Sequence, residues 1–424
     1  MTEQSETRTA ADSGSRSGAG GHWWRAAAAV TFATLPSMTS CLPVFRDRLQ
    51  NYYGLNNAEF GLLLNIGGAV GFFGALAGGP LMDHIGAHKT LRLSLAGCAA
   101  GMLLAAVPGP WMLMLLALGL VALFFAPLNI ALQAYLVALF PHSRRRVLSM
   151  GLVAASAITM TFPLLAELLL RFAAGGGRAS FGWVLHGLFA CTALALGAGV
   201  LLTGRTCTPE MARRTAGTPP EMTLPAGAIV LLTALLALHG TVDSALAVWI
   251  PRVLASASYP RQVLLPGVVV SAFSLAYVVS RGLLSAMPET KWRRRMMVAP
   301  GLCGGAILLA GILSRDQFWT SIAYVAGAFC WSVEYPVLLA ALTGAGRRFG
   351  TAMSALSAAS GLGAFVLATS LGALGDHLGE TQLWRILLIP ACGFPLVGLG
   401  GLWWVLQYGQ RLAGQEQHSA VRDI

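Results

Sequence analysis

Three carboxylates lie well inside long apolar runs of the sequence: Glu167, Asp243 and Glu334. An ionised side chain at the centre of a bilayer costs about 2.5–3.5 kcal/mol even on lenient insertion scales, so such residues usually face a partner or a watery cavity. Glu167 precedes Arg171 by four residues near one end of its run, a spacing that favours a helical salt bridge. Glu334 and Asp243 are therefore the better candidates for chemistry.

Glu334 is flanked by Trp331 and Tyr335 on the same helical face, and no basic residue lies within one turn. Burial without a cation disfavours the charged form of the carboxylate, which suits a group that carries a proton. The two aromatic rings could stack on a ligand. We predict that Glu334 is a proton-coupling residue and that Trp331 and Tyr335 bind a substrate. The alternative is a protonated glutamic acid that joins two helices.

Asp243 follows His239 by four residues, which places the two side chains on one face of a helix. We predict a second proton-coupling residue in Asp243 and a solute ligand in His239. The alternative is that Asp243 only pairs with a structural partner such as Arg252.

Two further sets of polar residues interrupt apolar runs. Asn129 and Gln133 are four residues apart and share a helical face, and Ser37 lies beside Pro36, which is expected to kink its helix and expose backbone carbonyls. All three polar side chains are predicted solute ligands. Asn129 and Gln133 could equally join helices together.

The composition defines the elements that position these residues. The 424 residues are 56% hydrophobic and only 11% charged, whereas soluble domains carry about 25% charged residues. The net charge of +11 does not indicate a nucleic-acid partner, because the basic residues fall in short loops between apolar runs. The seven cysteines are scattered without a CxxC pair, so we expect neither a disulfide framework nor a metal site. The chain is predicted to be an all-α integral membrane protein in a lipid bilayer.

About 20 apolar residues are needed to cross the hydrocarbon core, and twelve runs of suitable length are present. They cover residues 24–45, 60–82, 90–107, 111–140, 147–171, 181–203, 226–250, 263–286, 296–313, 318–343, 351–375 and 383–408. Most Lys and Arg residues fall on the side of both termini, which the positive-inside rule assigns to the cytoplasm. We expect a cell-membrane protein with both termini cytoplasmic, in a bacterial inner membrane.

Residues 205–224 hold Arg213 and Arg214 together with Arg205, two adjacent prolines and several threonines, and are predicted to be a cytoplasmic linker. They would separate a six-helix bundle at 23–204 from a second one at 225–409, with a disordered cytoplasmic tail at 1–22 and another tail at 410–424. SRRRVLSMGLVAAS from Ser143 and GRRFGTAMSALSAAS from Gly346 are similar, and they occupy equivalent places in the two halves. Such repeats are common in transporters, whose solute site lies where the halves meet.

The loop after the second run, GPLMDHIGAHK at 79–89, resembles the loop motif of the major facilitator superfamily, GxLxDRxGR(K/R)K in outline. Five residues match, namely Gly79, Leu81, Asp83, Gly86 and Lys89, whereas His84 and His88 stand where that family usually has Arg or Lys. The resemblance implies a conformational gate formed by Gly79, Asp83, Gly86 and Lys89. It also implies that Asp83 lies against the start of the eleventh span, near Gly350 and Thr351, when the cytoplasmic side is closed.

The resemblance further implies two pseudo-symmetric six-helix bundles and a central cavity lined by spans one, four, seven and ten, three of which carry the polar pairs. Motifs typical of drug antiporters, peptide transporters and sugar porters are missing, so the substrate class cannot be taken from those groups. We expect a monomeric secondary active transporter, without cofactor, that moves a small polar organic solute by alternating access, with proton-coupled uptake. The alternatives are an efflux antiporter for drugs or metabolites, a transport-dead sensor of the same fold and, least favoured, a membrane enzyme.

Overall fold

The computed structural model describes residues 23–55, 57–140, 143–172, 177–205, 224–259, 261, 263–264, 266–287 and 293–422. Within these ranges the chain is helical and contains no strand. The predicted linker and the N-terminal tail at 1–22 lie almost wholly outside the described residues.

Twelve long helical segments follow one another, labelled α1 to α12 in chain order. Their bounds are 23–34 with a 3-10 continuation Leu35–Phe45 (α1), Asn57–Ile85 (α2), Ala87–Ala105 (α3), Trp111–Leu139 (α4), Arg144–Phe172 (α5), Gly177–Arg205 (α6), Ala226–Leu254 (α7), Pro266–Ala286 (α8), Ala299–Leu313 (α9), Gln317–Trp331 and Glu334–Leu342 (α10), Phe349–Leu378 (α11) and Leu388–Arg422 (α12). Short helices at Arg46–Tyr53 and Arg293–Met296 precede α2 and α9, and 3-10 turns at Thr343–Arg348 and Glu380–Leu387 precede α11 and α12.

Nine of these segments within the described ranges are apolar and long enough to cross a membrane by themselves. The three that fall short are α1, α3 and α5. The twelve-helix, all-α membrane fold predicted from the sequence is confirmed. Helix α12 continues to Arg422 and so runs through most of the segment 410–424 that we expected to be a tail.

Prolines explain the two irregular segments that matter for the site. Pro36 and Pro43 have no backbone N–H, and α1 tightens into a 3-10 helix from Leu35 onwards. Helix α10 breaks after Trp331, where Pro336 cannot donate to the carbonyl of Ser332 four residues earlier. The break leaves that carbonyl oxygen available for a partner on another helix.

The helices form two bundles. In the first half α4 packs against α2 and α3, and α3 packs against α6; in the second half α9 packs against α10 and α12, and α7 packs against α11 and α12. The halves meet through two equivalent helix pairs, α2 with α11 and α5 with α8. These pairs relate the second and fifth helices of each half, as expected for a repeated bundle.

The hydrogen bonds between the halves cluster on one side of the membrane. We call it the linker side, because it holds the connection between the halves together with the α2–α3, α4–α5, α8–α9 and α10–α11 connections. Arg145 donates to the carbonyl of Met287 at 2.7 Å, Ser149 donates to the carbonyl of Arg281 at 2.7 Å, and Ser354 donates to the carbonyl of Ala75. The structure therefore represents a state that is closed on the linker side.

Candidate functional site

The centre of the candidate site is a pair formed by His239 on α7 and Glu334 on α10. The Nδ1 atom of His239 lies 3.1 Å from the Oε2 atom of Glu334, and the side chains are 2% and 0% exposed. Glu334 is the first residue of the helical segment that follows the break in α10. The other ring nitrogen of the pair, Nε2 of His239, is buried without a hydrogen-bond partner among the described residues, and the backbone amide of Gly301 faces the Glu334 carboxyl.

Aromatic rings and a glycine enclose this pair. The ring centroids of Trp331 and Phe394 are 4.0 Å apart in a stacked arrangement, and the His239 ring lies 5.5 Å from Phe394 and 5.7 Å from Tyr335. A Cβ atom on Gly301 of α9 would come within 2.5 Å of Oε1 of Glu334. Only glycine lets α9 approach the carboxyl this closely, so the pair is held in a nearly dry pocket.

Asp243 takes part in a second chain of hydrogen bonds. The hydroxyl of Tyr277 on α8 donates to Oδ1 of Asp243 at 2.6 Å, and Nε1 of Trp331 donates to the Tyr277 hydroxyl at 2.8 Å. Trp331 thus connects the two groups, because its ring stacks on Phe394, which lies against His239, and its indole nitrogen reaches the aspartate chain. The two acidic residues belong to one polar core in the second half.

Arg281 on α8 completes the core. Its guanidinium lies over the Tyr277 ring at 4.3 Å from the centroid, and its Nε donates to the carbonyl of Ser332, the one that Pro336 leaves free, at 3.2 Å. A further nitrogen donates to Oγ of Ser156 on α5 at 2.9 Å. Because α5 belongs to the other half, Arg281 connects the polar core to the interface between the bundles.

Arg281 and Tyr277 were not among the site residues predicted from the sequence, although an arginine inside the apolar run 263–286 is a visible signal. His239 and Asp243 share a helical face but have different partners. His239 bonds to Glu334, and Asp243 accepts a hydrogen bond from Tyr277. The suggested structural partner Arg252 instead pairs with the exposed Glu380 at 2.6 Å.

The predicted ligands of the first half lie apart from this core. Asn129 donates to the carbonyl of Phe125 in its own helix at 3.1 Å, which satisfies its amide locally. The side-chain oxygen of Gln133 is buried without a hydrogen-bond partner among the described residues. Ser37 lies half-buried in the 3-10 part of α1. No hydrogen bond among the described residues links these three residues to His239 or Glu334.

The predicted gate lies at the linker-side ends of α2 and α11. The hydroxyl of Thr351 donates to Oδ2 of Asp83 at 2.8 Å, and the backbone amide of Thr351 also donates to this carboxylate. The contact implied by the resemblance is therefore present. Gly79 permits it, since a Cβ there would meet the carbonyl oxygen of Gly350 and the side chain of Ser354.

The rest of the loop motif shapes the α2–α3 connection. Gly86 has a φ of 87°, a left-handed conformation that favours glycine, and Lys89 is exposed. His84 is exposed as well, whereas His88 is buried and its Nε2 lies 3.0 Å from the carbonyl of Thr203 on α6. His88 thus joins two helices of the first half, whereas His84 lies exposed near the connection.

Within the described ranges no group of three or more His, Cys, Asp or Glu residues is arranged to hold a metal ion. What the core offers is a carboxylic acid next to an imidazole, a second acid within a hydrogen-bonded chain, and a guanidinium at the interface between the halves. Groups of these types can bind and release protons and can attract a charged solute.

Comparison with known proteins identifies the class. The sequence profile of the Major Facilitator Superfamily matches residues 27–260, more than half of the chain. The chain belongs to this superfamily, and it is a membrane transporter rather than an enzyme. No curated protein matches the sequence.

Solved structures share the fold at low sequence identity. The fucose:proton symporter FucP of E. coli has a TM-score of 0.72 at 15% identity, over 90% of this chain and 99% of that one. The proton:xylose symporter XylE has a TM-score of 0.69 at 14% identity, covering 90% and 95%. The human organic anion transporter MFSD10 has a TM-score of 0.64 at 16% identity, covering 87% and 99%. At these identities the likeness extends to the fold alone.

Proposed function

We propose that this transporter takes up a small polar organic solute together with protons, by alternating access. The observation that carries the proposal is the pairing of His239 with Glu334, a carboxyl and an imidazole enclosed in the membrane-spanning part of the second half. Two ionisable groups at such depth are rarely needed for a structural role, because their burial is costly. Proton transfer through the membrane-spanning part, in contrast, needs ionisable side chains there.

The pair is suited to hold one proton and to lose it. A proton shared between Oε2 of Glu334 and Nδ1 of His239 leaves both groups neutral overall, which is the stable arrangement in a dry pocket. Opening the pocket to water on the linker side would stabilise the separated charges and release the proton. Asp243, which accepts from Tyr277, is the proposed second coupling group.

The solute is proposed to bind between the halves, in contact with the half-buried Tyr335, Gln133, Asn129 and Ser37. His239 and Trp331 stay in the proposed set, but Trp331 has no exposed surface in this state. Its contact with the solute therefore belongs to another state of the cycle. The unpartnered oxygen of Gln133 is the first-half group best placed to accept a hydrogen bond.

Alternating access is proposed to open and close the linker side through the two helix pairs that join the halves. The positive-inside rule supports assigning that side to the cytoplasm, with both termini there. Closure of the linker side would then leave the site facing outward, ready to receive solute and proton. We also propose that the two six-helix bundles span 23–204 and 225–409, and that the protein is a monomer in a bacterial inner membrane.

The experiment is uptake into proteoliposomes with an inward-directed proton gradient. Thermal-shift screening against sugars, organic acids, amino acids, nucleosides and lipophilic cations first provides a stabilising solute. Glu334→Gln is expected to reduce gradient-driven accumulation more than tenfold while solute exchange across the membrane continues, because glutamine mimics the protonated acid and exchange needs no deprotonation. Asp243→Asn is expected to weaken coupling as well.

The matched control is Glu380→Gln, since Glu380 is an exposed acid outside the polar core, with a side chain 53% exposed. Accumulation by this variant should equal that of the wild type. Full accumulation by both Glu334→Gln and Asp243→Asn would refute proton coupling through these residues. Solute efflux driven by the same gradient would refute uptake and favour an antiporter.

A further inference from the structure

Among the described residues, the direct contacts of the Arg281 guanidinium are with neutral partners. It donates to the carbonyl of Ser332 and to the hydroxyl of Ser156, and it stacks on the ring of Tyr277. The residue is 8% exposed. Asp243 acts on it electrostatically, but no carboxylate within the described ranges lies within ion-pair distance of 4.0 Å. A permanently charged group is thus buried without a direct counter-ion.

Burial of a charge without a direct counter-ion costs free energy. Arginine stays protonated in proteins, so it cannot escape the cost of burial by losing its charge. Charged side chains inside membrane spans normally pair with an opposite charge or mark the path of a substrate. The planar guanidinium offers parallel N–H groups that match the two oxygens of a carboxylate. Arg281 can therefore bind an anion in a position where the described part of the chain places no carboxylate within ion-pair distance.

We propose that the transported solute is a small organic acid and that Arg281 binds its carboxylate. This inference rests on the proposed transport function and names its substrate class. The position is suitable because Ser156 lies on α5 of the first half, while Arg281 lies on α8 of the second. A carboxylate that replaces the Ser156 hydroxyl on the guanidinium would release a hydrogen bond that holds the halves together. Solute binding and movement of the halves are coupled in this way.

The nearby charges explain why a proton should accompany the acid. The ionisable groups that face Arg281 are Asp243, Tyr277 and Tyr335, with the pair of His239 and Glu334 behind them. Two carboxylates beside one guanidinium repel each other, so the arrival of a solute carboxylate favours protonation of Asp243. One proton would enter with each acid, and the core would keep its charge balance.

The test compares acids with amides of nearly the same shape. Purified full-length protein is heated near pH 6 with acetate or acetamide, lactate or lactamide, succinate or succinamide, and benzoate or benzamide. At least one acid is expected to raise the melting temperature while its amide does not. Arg281→Gln should weaken the apparent affinity for that acid at least tenfold, and Arg281→Lys should weaken it less, since charge remains but the fork geometry is lost.

The control is Arg252→Gln, which removes an arginine from the exposed pair with Glu380 and should bind the acid as the wild type does. Equal stabilisation by acid and amide would overturn the proposal, as would an unchanged acid response in Arg281→Gln or no response to any of the four acids. Should Arg281→Gln fail to elute as a single species, Arg281→Lys and Ser156→Ala decide the matter. Ser156→Ala is expected to bind the acid at least as well as the wild type, because it frees a donor on the guanidinium, and weaker binding would count against the proposal.

Acid binding and solute uptake are measured separately, so the acid site and the transport function can fail independently. Acid binding that depends on Arg281 without uptake into proteoliposomes would refute transport and leave the binding site standing. Proton-driven uptake of a neutral solute that survives Arg281→Gln would refute the acid site and leave transport standing.

Discussion

Removing the carboxylate of Asp83 should open the linker side. The side chain accepts two hydrogen bonds from Thr351, one from the hydroxyl at 2.8 Å and one from the backbone amide near the start of α11. A carboxylate at a helix N-terminus contributes about 0.3–1 kcal/mol, and a typical hydrogen bond adds about 0.5–1.5 kcal/mol. Because Asp83 is exposed, the lower parts of these ranges apply, and the contact contributes about 1–2 kcal/mol to the closed state.

This free energy translates into a measurable shift. A change of 1.4 kcal/mol alters an equilibrium about tenfold, so losing the contact should raise the ratio of open to closed molecules about 5- to 30-fold. Asp83→Asn keeps one neutral acceptor and should fall near the lower value, whereas Asp83→Ala should approach the upper one. The substitution does not touch the polar core around Glu334, so solute affinity measured in the outward-facing state should be unchanged.

Distances between spin labels on the linker-side ends of α3 and α9 would report this ratio in a background without native cysteines. Asp376→Asn is the matched control, because Asp376 is an exposed acid near the opposite end of α11. If Asp83→Ala gives the same distance distribution as the wild type, the carboxylate does not hold the gate. If Asp376→Asn gives an equal shift, the effect comes from general surface charge and the reasoning fails.

Two further substitutions examine packing. Gly79→Ala places a Cβ against the backbone carbonyl of Gly350, which cannot rotate away, so α2 and α11 must separate; the spin-label distances should shift at least as far as in Asp83→Ala. Trp331→Phe removes the indole donor to Tyr277 and should cost about 0.5–1.5 kcal/mol, seen as a lower melting temperature, since Trp331 is fully buried. Trp403→Phe at a 57% exposed position should leave the melting temperature unchanged, and an equal loss there would contradict the second prediction.

The sequence alone determined the fold class, because the bilayer leaves few choices. A spanning segment must satisfy its backbone hydrogen bonds internally, so length and apolarity decide where helices form. The loop motif identified the contact at Asp83 before any coordinates, since its residues resemble those of a known family. Helical spacing also placed Trp331, Glu334 and Tyr335 together, because that prediction needs only one helix.

The tertiary structure decided which residues on different helices meet. Helical spacing places His239 and Asp243 on one face of α7. The packing of α7 against α10, however, makes Glu334 the hydrogen-bond partner of His239, 95 residues away along the chain. Pro336 leaves the carbonyl of Ser332 in α10 without its helical partner, and the position of α8 brings Arg281 to that carbonyl. Intrahelical spacing is set by backbone geometry, whereas interhelical contacts depend on how side chains and glycines let helices approach. That is why the partners of Arg281 appear only in the folded molecule, although the arginine itself is visible in the apolar run 263–286.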